Sequence, residues 1–259
     1  MNEMFSLKGQ VAFVTGAARG LGQFYCKVLA EAGADVAVTG RTLESLGTTV
    51  EMVKAAGRNA LPLVCDVRDT GSIYQAAEDA AAHFGHIEIL INNAGLNIRK
   101  PALEITAEDW DLVLDSNLRG QFFTAQAIAK QMMKQNYGRI INIGSVCTEF
   151  AYKGITPYCA SRGGVRQMTM SLACDYCQYG ITVNCLSPGW FATAQTRVLF
   201  ENEAWRAYIC DRIPMHRLGE FDELKAPLLF LCCKENSYVN GQVLVVDGGI
   251  TTGDTKATV

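Results

Sequence analysis

Tyr158 and Arg162 stand four residues apart in the stretch YCASR, residues 158–162. On a helix that spacing puts both on one face. A phenol titrates near ~10 in water, and a fixed cation beside it favours the phenolate. The pair therefore reads as an acid–base site. A lysine is the expected cation, because an ammonium can also pass a proton. The guanidinium of Arg162 keeps the charge and the spacing but stays protonated. Ser145 ends the apolar run GRIINIGS (138–145) and is placed to bond the same oxygen as Tyr158.

A second stretch with chemistry is TGAARGLG (15–22). Gly16, Gly20 and Gly22 let backbone approach backbone and phosphate closely, with Arg19 and Leu21 in the same loop. A helix that opens there offers free N–H groups and a positive dipole end to a pyrophosphate. Its place between the first strand and the first helix makes it a dinucleotide loop. The second strand ends in VAVTGRT. Gly40 stands where an acid would bond the adenosine ribose, and Arg41 follows. Arg19 and Arg41 together suit a 2′-phosphate, which favours NADP(H) over NAD(H). The alternative is that Arg41 is a solvated residue after a strand. Asp66, followed by Val67 after the third strand, is placed to accept from the adenine amino group. Asn93, Ala94 and Gly95, in NNAG (92–95), make a tight turn against the cofactor.

Elements that position these residues follow from the pattern. Short apolar runs at 11–16, 35–40, 59–67, 87–95, 138–145, 181–189 and 242–249 read as strands. Helical spacing occupies 19–33, 43–57, 69–85, 107–136 and 156–180, with Asp69 and Thr106 as N-caps and Pro157 in a first turn. Pro227 kinks the helix near 221–233 or delays its start. Strands apolar nearly throughout, each followed by a helix, imply a parallel sheet covered on both faces. The fold class is α/β: a single Rossmann-type doubly wound domain over residues 1–259, seven-stranded and parallel, with 251–259 as a flexible tail. Ligands of such sheets bind beyond the C-terminal strand ends, where the candidate residues fall.

Bulk properties remove other classes. The 259 residues are 49% hydrophobic and 19% charged, with a net charge of -3. No basic block marks a nucleic-acid surface. No run of 18 apolar residues marks a membrane span. The opening MNEMFSLKGQ lacks the pattern of a secretion signal, so a cytoplasmic location is expected. The ten cysteines are scattered, which favours reduced thiols over a disulfide framework. Cys174 and Cys177, in CDYC, read as two small buried side chains, and Cys26, Cys65, Cys185, Cys232 and Cys233 as small hydrophobes. His83, His86 and His216 show no metal spacing, and no metal is expected.

The chain resembles the short-chain dehydrogenase/reductase family over nearly its whole length. The resemblance is carried by TGAARGLG, CDV, NNAG, SNLRGQF, the Gly-Ser at 144–145, the tyrosine helix, SPGW and VNGQVLVVDGG. Within the family it looks most like the gluconate 5-dehydrogenase group, through NNAGLNIRKPALEIT and DRIPMHRLGE. The resemblance implies Tyr158 as general acid in reduction and base in oxidation, and Ser145 as the donor that polarises the carbonyl. Asn117 would anchor a water chain by bracing the adjacent helix. Position 162 would carry a lysine on the nicotinamide ribose; here it is Arg162. Pro188, Gly189 and the residues up to Thr193 would cover the nicotinamide, with Thr193 on its amide or the pyrophosphate. Family members are commonly homotetramers built through the two long helices.

At the substrate end, Arg99 and Lys100 read either as a clasp for a carboxylate, as on a sugar acid such as 5-ketogluconate, or as a solvated basic loop. Cys147, Glu149, Trp190 and Arg197 are further pocket candidates. Three functions compete: an NADP(H)-dependent oxidoreductase of a sugar acid, a 3-oxoacyl or steroid reductase, and a cofactor-binding protein weakened by Arg162. Retention of Asn117, Ser145 and Tyr158 favours an enzyme.

Overall fold

The computed structural model describes residues 3–191 and 201–253. Seven strands form one parallel sheet: β1 (Val11–Val14), β2 (Asp35–Gly40), β3 (Ala60–Val64), β4 (Ile89–Asn92), β5 (Gly138–Ile143), β6 (Ile181–Pro188) and β7 (Val243–Val246). Their order is β3-β2-β1-β4-β5-β6-β7. The order reverses between β1 and β4, and the crevice of a doubly wound sheet opens there.

Alternation along each strand builds two cores. Ala12, Val14, Ile89, Ile91, Ile141 and Ile143 face α1 (Gly20–Glu31), α2 (Gly47–Ala55) and a later helix, Lys225–Cys232. Val11, Phe13, Leu90 and Ile140 face α3 (Thr70–Phe84), α5 (Gly120–Met132) and α6 (Thr156–Tyr176). Successive Cβ atoms of a strand point to opposite faces, so a strand buried on both sides reads as a continuous apolar run. The remaining described helices are α4 (Ala107–Leu114), α7 (Glu203–Arg212) and α8, the Lys225–Cys232 helix. No described helix is long and apolar enough to cross a membrane.

Local signals placed most boundaries. Asp69 caps α3 by accepting from Gly71 N, and Gly85 closes it in the left-handed region at φ 83°. Thr106 and Asp109 form a capping box on α4. Pro227 lies in the first turn of α8, which starts after a 3₁₀ turn at Phe221–Leu224. There its missing N–H costs nothing.

Two expectations are corrected. The helix read as continuous over 107–136 is broken by a π-turn at Asp115–Arg119, closed by Gly120 N on the Asp115 carbonyl. Apolar periodicity cannot register one inserted residue in a turn, and such bulges gather at functional positions. Cys174 and Cys177 are exposed. The inner face of α6 is carried by Val165, Thr169, Leu172 and Ala173, and the CDYC pair falls off it. Cys26, Cys65, Cys185, Cys232 and Cys233 are buried. Burial pushes the thiols of Cys65 and Cys185 up to about 12 and about 11.

Arg139, on β5, is only 3% exposed. Its guanidinium donates to the carbonyls of Gly138, Cys233 and Lys234 and stacks 4.5 Å from the Tyr137 ring centroid. The Cys233 and Lys234 carbonyls lie just past the end of α8, so the cation satisfies acceptors beside the helix's negative dipole end. Arg139→Met leaves those acceptors unpaired. It is expected to cost about 2–4 kcal/mol, read as a lower urea midpoint.

Candidate active site

The first turn of α1 faces the end of β4. A methyl on Gly22 would stand 2.2 Å from the Gly16 carbonyl oxygen, and one on Gly16 would stand 2.9 Å from Ala94 Cα. Both positions need glycine for that approach. Gly20, at φ 59°, has nothing within 4 Å of its open side. Thr15 Oγ1 accepts from the backbone N–H groups of Asn93 and Ala94, at 2.9 and 3.0 Å. The loops after β1 and β4 are therefore tied together across the switch point. Leu21 packs into the core beneath them.

Arg19 and Arg41 are exposed, and neither forms an ion pair with a described residue. A Cβ on Gly40 would meet Leu46 Cδ2 at 2.9 Å, and Leu46 is wholly buried. A side chain there would have to displace the Leu46 methyl. Asp66 is held by Arg68, which donates to it from its backbone N–H and from its guanidinium. That bonding keeps the Asp66 carboxyl below the usual range. Its oxygens retain lone pairs for one more donor. Val67 is buried, with its carbonyl against Gly120 of α5.

Tyr158 and Arg162 lie at the ends of β4 and β5. Tyr158 is in the first turn of α6 and half-buried, and Arg162 is 5% exposed. The guanidinium carbon sits 4.8 Å from the Tyr158 ring centroid. Nη1 donates to the Ile143 carbonyl at 2.9 Å. A methyl on Gly95 would stand 2.8 Å from Arg162 Nη2 and 2.9 Å from Asn117 Oδ1. Thus the charge is stacked on the ring and gripped by a strand end.

Asn117 sits in the π-turn, wholly buried. Its amide bonds Leu96 in both directions, accepting at 2.7 Å and donating at 2.8 Å. It also donates to Ser161 Oγ, which donates to the Tyr158 carbonyl. Ser161 was not foreseen: its side chain inside YCASR carries no motif of its own, yet it joins Asn117 to the tyrosine turn. Gln121 and Leu46 were missed for the same reason.

Ser145 is half-buried at the end of β5, and its Oγ accepts from Cys147 N. The 3₁₀ turn Val146–Thr148 packs on α6. Cys147 is 6% exposed. Burial pushes its thiol up to about 12, and the Cys159 thiol beside it adds to this. That thiol is neutral and buried beside the Ser145 side chain.

Lys100 is paired with Asp109, so it is removed from the carboxylate clasp. Arg99 is exposed and forms no ion pair with a described residue. It lies against Gly154 in the loop joining Ser145 to Tyr158, to which Lys100 N also bonds. Glu149 pairs with Arg166. Gly189 packs on Asp247, and Pro188 ends β6. Trp190 Nε1 donates to Tyr152 at 2.7 Å, and its ring meets Trp205. With Phe150 these rings form an aromatic wall. Thr193 and Arg197 lie outside the described residues. His86 pairs with Glu88. Among the described residues no cluster of His, Cys, Asp and Glu could hold a metal.

Comparison with known proteins places the chain. The profile of a family described as enoyl-(acyl carrier protein) reductase matches residues 16–251. The gluconate 5-dehydrogenase of Gluconobacter oxydans is 41% identical over 249 residues, 96% of this chain and 97% of that protein. The 2-dehydro-3-deoxy-D-gluconate 5-dehydrogenase of Escherichia coli is 42% identical over 246 residues, 95% of this chain and 96% of that one. The crystal structure of a gluconate 5-dehydrogenase from Burkholderia cenocepacia, in complex with NADP and tartrate, superposes with a TM-score of 0.93. It is 38% identical, covering 96% of this chain and 98% of that chain.

The junction at Gly95 is directly testable. Gly95→Ala is expected to push Arg162 and Asn117 apart and to lower stability by about 1–3 kcal/mol, as overpacking does. Chemical denaturation of the purified variant measures it.

Proposed function

Because the chain belongs to the short-chain dehydrogenase/reductase family, we propose that it is an NADP(H)-dependent oxidoreductase of a sugar acid. It would interconvert the hydroxyl and keto forms of a gluconate-type substrate. The observation that carries the chemistry is the buried Arg162 guanidinium stacked on Tyr158 at the strand end that bears Ser145. The names of the relatives, and the tartrate in one of them, support the substrate class.

The residues present fit the cofactor. Gly16, Gly20 and Gly22, with Leu21 and the turn Asn93–Gly95, would cradle the pyrophosphate. Asp66 and Val67 would border the adenine, and Arg19 and Arg41 would hold the 2′-phosphate. Pro188 and Gly189 would back the nicotinamide, which supplies or accepts the hydride when bound.

The chain's own residues do the rest. In reduction, the Tyr158 hydroxyl donates its proton to the carbonyl oxygen; in oxidation, the phenolate takes it back. Ser145 Oγ donates a hydrogen bond to the same oxygen and polarises it. Arg162 stabilises negative charge on the phenol from the ring face. Asn117 holds the loop after β4 and, through Ser161, the turn that carries Tyr158. Arg99 clasps the substrate carboxylate, and the Tyr152–Trp190–Trp205 wall excludes water. The same reading brings a cytoplasmic location and a homotetramer through α4–α5 and α6, where Trp110 and Met170 are exposed.

NADPH oxidation with ketogluconates, neutral ketones and oxoacyl thioesters, repeated with NADH, tests the proposal. Turnover is expected on the keto sugar acids with NADPH. Tyr158→Phe should lower kcat roughly 10²–10⁴-fold. Arg99→Gln should raise KM for a keto acid about tenfold or more and leave that of a neutral ketone alone. Tight NADPH binding without turnover on any substrate would overturn it.

Arg162→Lys is expected to raise kcat, since an ammonium can reach the ribose hydroxyls and pass a proton. An unchanged kcat at saturating NADPH would contradict that account of the arginine.

A further inference from the structure

Gln121 lies in the first turn of α5 and is 1% exposed. Its backbone carbonyl accepts from Asn92 Nδ2 at 2.6 Å, and its own Nε2 donates to the Ile143 carbonyl at 3.3 Å. Arg162 Nη1 donates to that same oxygen at 2.9 Å. A carbonyl oxygen has two lone pairs, so it can serve both. The two side chains are pinned on one acceptor.

Each is left with an unmatched atom. Gln121 Oε1 is a buried acceptor with no partner, and Arg162 Nε is a buried donor with no partner. Turning the Gln121 amide over does not help, because it would set Oε1 against the Ile143 carbonyl. Unpaired polar atoms at this depth are costly. An apolar side chain at 121 would fill the same space between α5 and β5 with no such debt, so the amide has work to do there.

We propose that Gln121 is the positioning residue for Arg162. Its amide shares the Ile143 carbonyl with the guanidinium and fixes that acceptor, so that the guanidinium stays over the Tyr158 ring. This rests on the reading of Tyr158 as the proton donor and deepens it. An ammonium at position 162 has no Nε and turns its donors freely, so a lysine there does not depend on Gln121. The glutamine is thus the companion of the arginine.

The test is a cycle of Gln121→Met with Arg162→Lys in the full chain. With Arg162 present, Gln121→Met is expected to lower kcat about tenfold, the scale on which contacting residues couple. It should also move the rising limb of the oxidation pH–rate profile to higher pH. With Arg162→Lys, the same change should cost less than about twofold and leave the profile in place. Equal losses in both chains, or a lower Tm with an unmoved profile, would mean a packing role only and overturn the proposal. If Gln121→Met does not fold, Gln121→Asn replaces it, with the same sign expected. If the unaltered chain turns over no sugar acid, the substrate assignment fails by itself. The tyrosinate absorbance that Tyr158→Phe removes then decides: it should emerge at higher pH in Gln121→Met only when Arg162 is present.

Discussion

A guanidinium that is only 5% exposed must be given acceptors, and this constraint organises the centre of the molecule. Isolated burial of a charge is prohibitive unless it is bonded. Here Ile143, the last residue of β5, turns its carbonyl to α6 and accepts from Arg162. The Tyr158 ring covers the cation from the other side. The helix cannot slide along the sheet without breaking the Arg162–Ile143 contact. Asn92 and Asn142, opposite each other in the β4–β5 register, extend the same seam. Asn142 then donates to Thr169 of α6. A polar line thus crosses two strands and a helix just below the acid–base group, and it fixes Tyr158 through its neighbours.

The parallel sheet gathers the remaining parts at its C-terminal edge, and close packing at that edge dictates where side chains are forbidden. Gly144 follows Ile143, and a methyl there would stand 2.5 Å from Ser187 Oγ. Gly95, Gly16 and Gly22 are excluded from side chains by equally close backbone or polar atoms. These glycines let the ends of β1, β4, β5 and β6 pack closely at that edge. The π-turn has a matching role. It turns Asn117 inward on a helix whose other residues pack regularly, and the full bonding of its amide makes one rigid body of the β4 loop and the start of α6.

Much of this was legible beforehand. Strand type, the parallel sheet and the phosphate loop follow from apolar runs and glycine placement, which are local. Tyr158, Arg162 and Ser145 announce themselves through helical spacing and strand ends. Three things were hidden, each for a physical reason. The π-turn changes register by one residue without altering the apolar period. Lys100 and Arg99 are adjacent and chemically alike, and only the approach of Asp109 separates a paired cation from an open one. Cys147 lies two residues after Ser145, and its burial beside the Ser145 side chain comes from the 3₁₀ turn at Val146–Thr148. Ser161, Gln121 and Leu46 act only through contacts made across the fold, and no short pattern encodes those.

Leu46 shows how far such contacts reach into specificity. Position 40 is crowded: the Leu46 Cδ2 methyl stands 2.9 Å from where a Cβ would be, so a side chain there requires the leucine to shift. Leu46 is itself buried in the core with α1 and β2. A side chain at position 40 would therefore have to displace a buried leucine, and glycine avoids that. In the proposed reading, the ribose end of the crevice is thus shaped partly from inside the protein, by a leucine in the core.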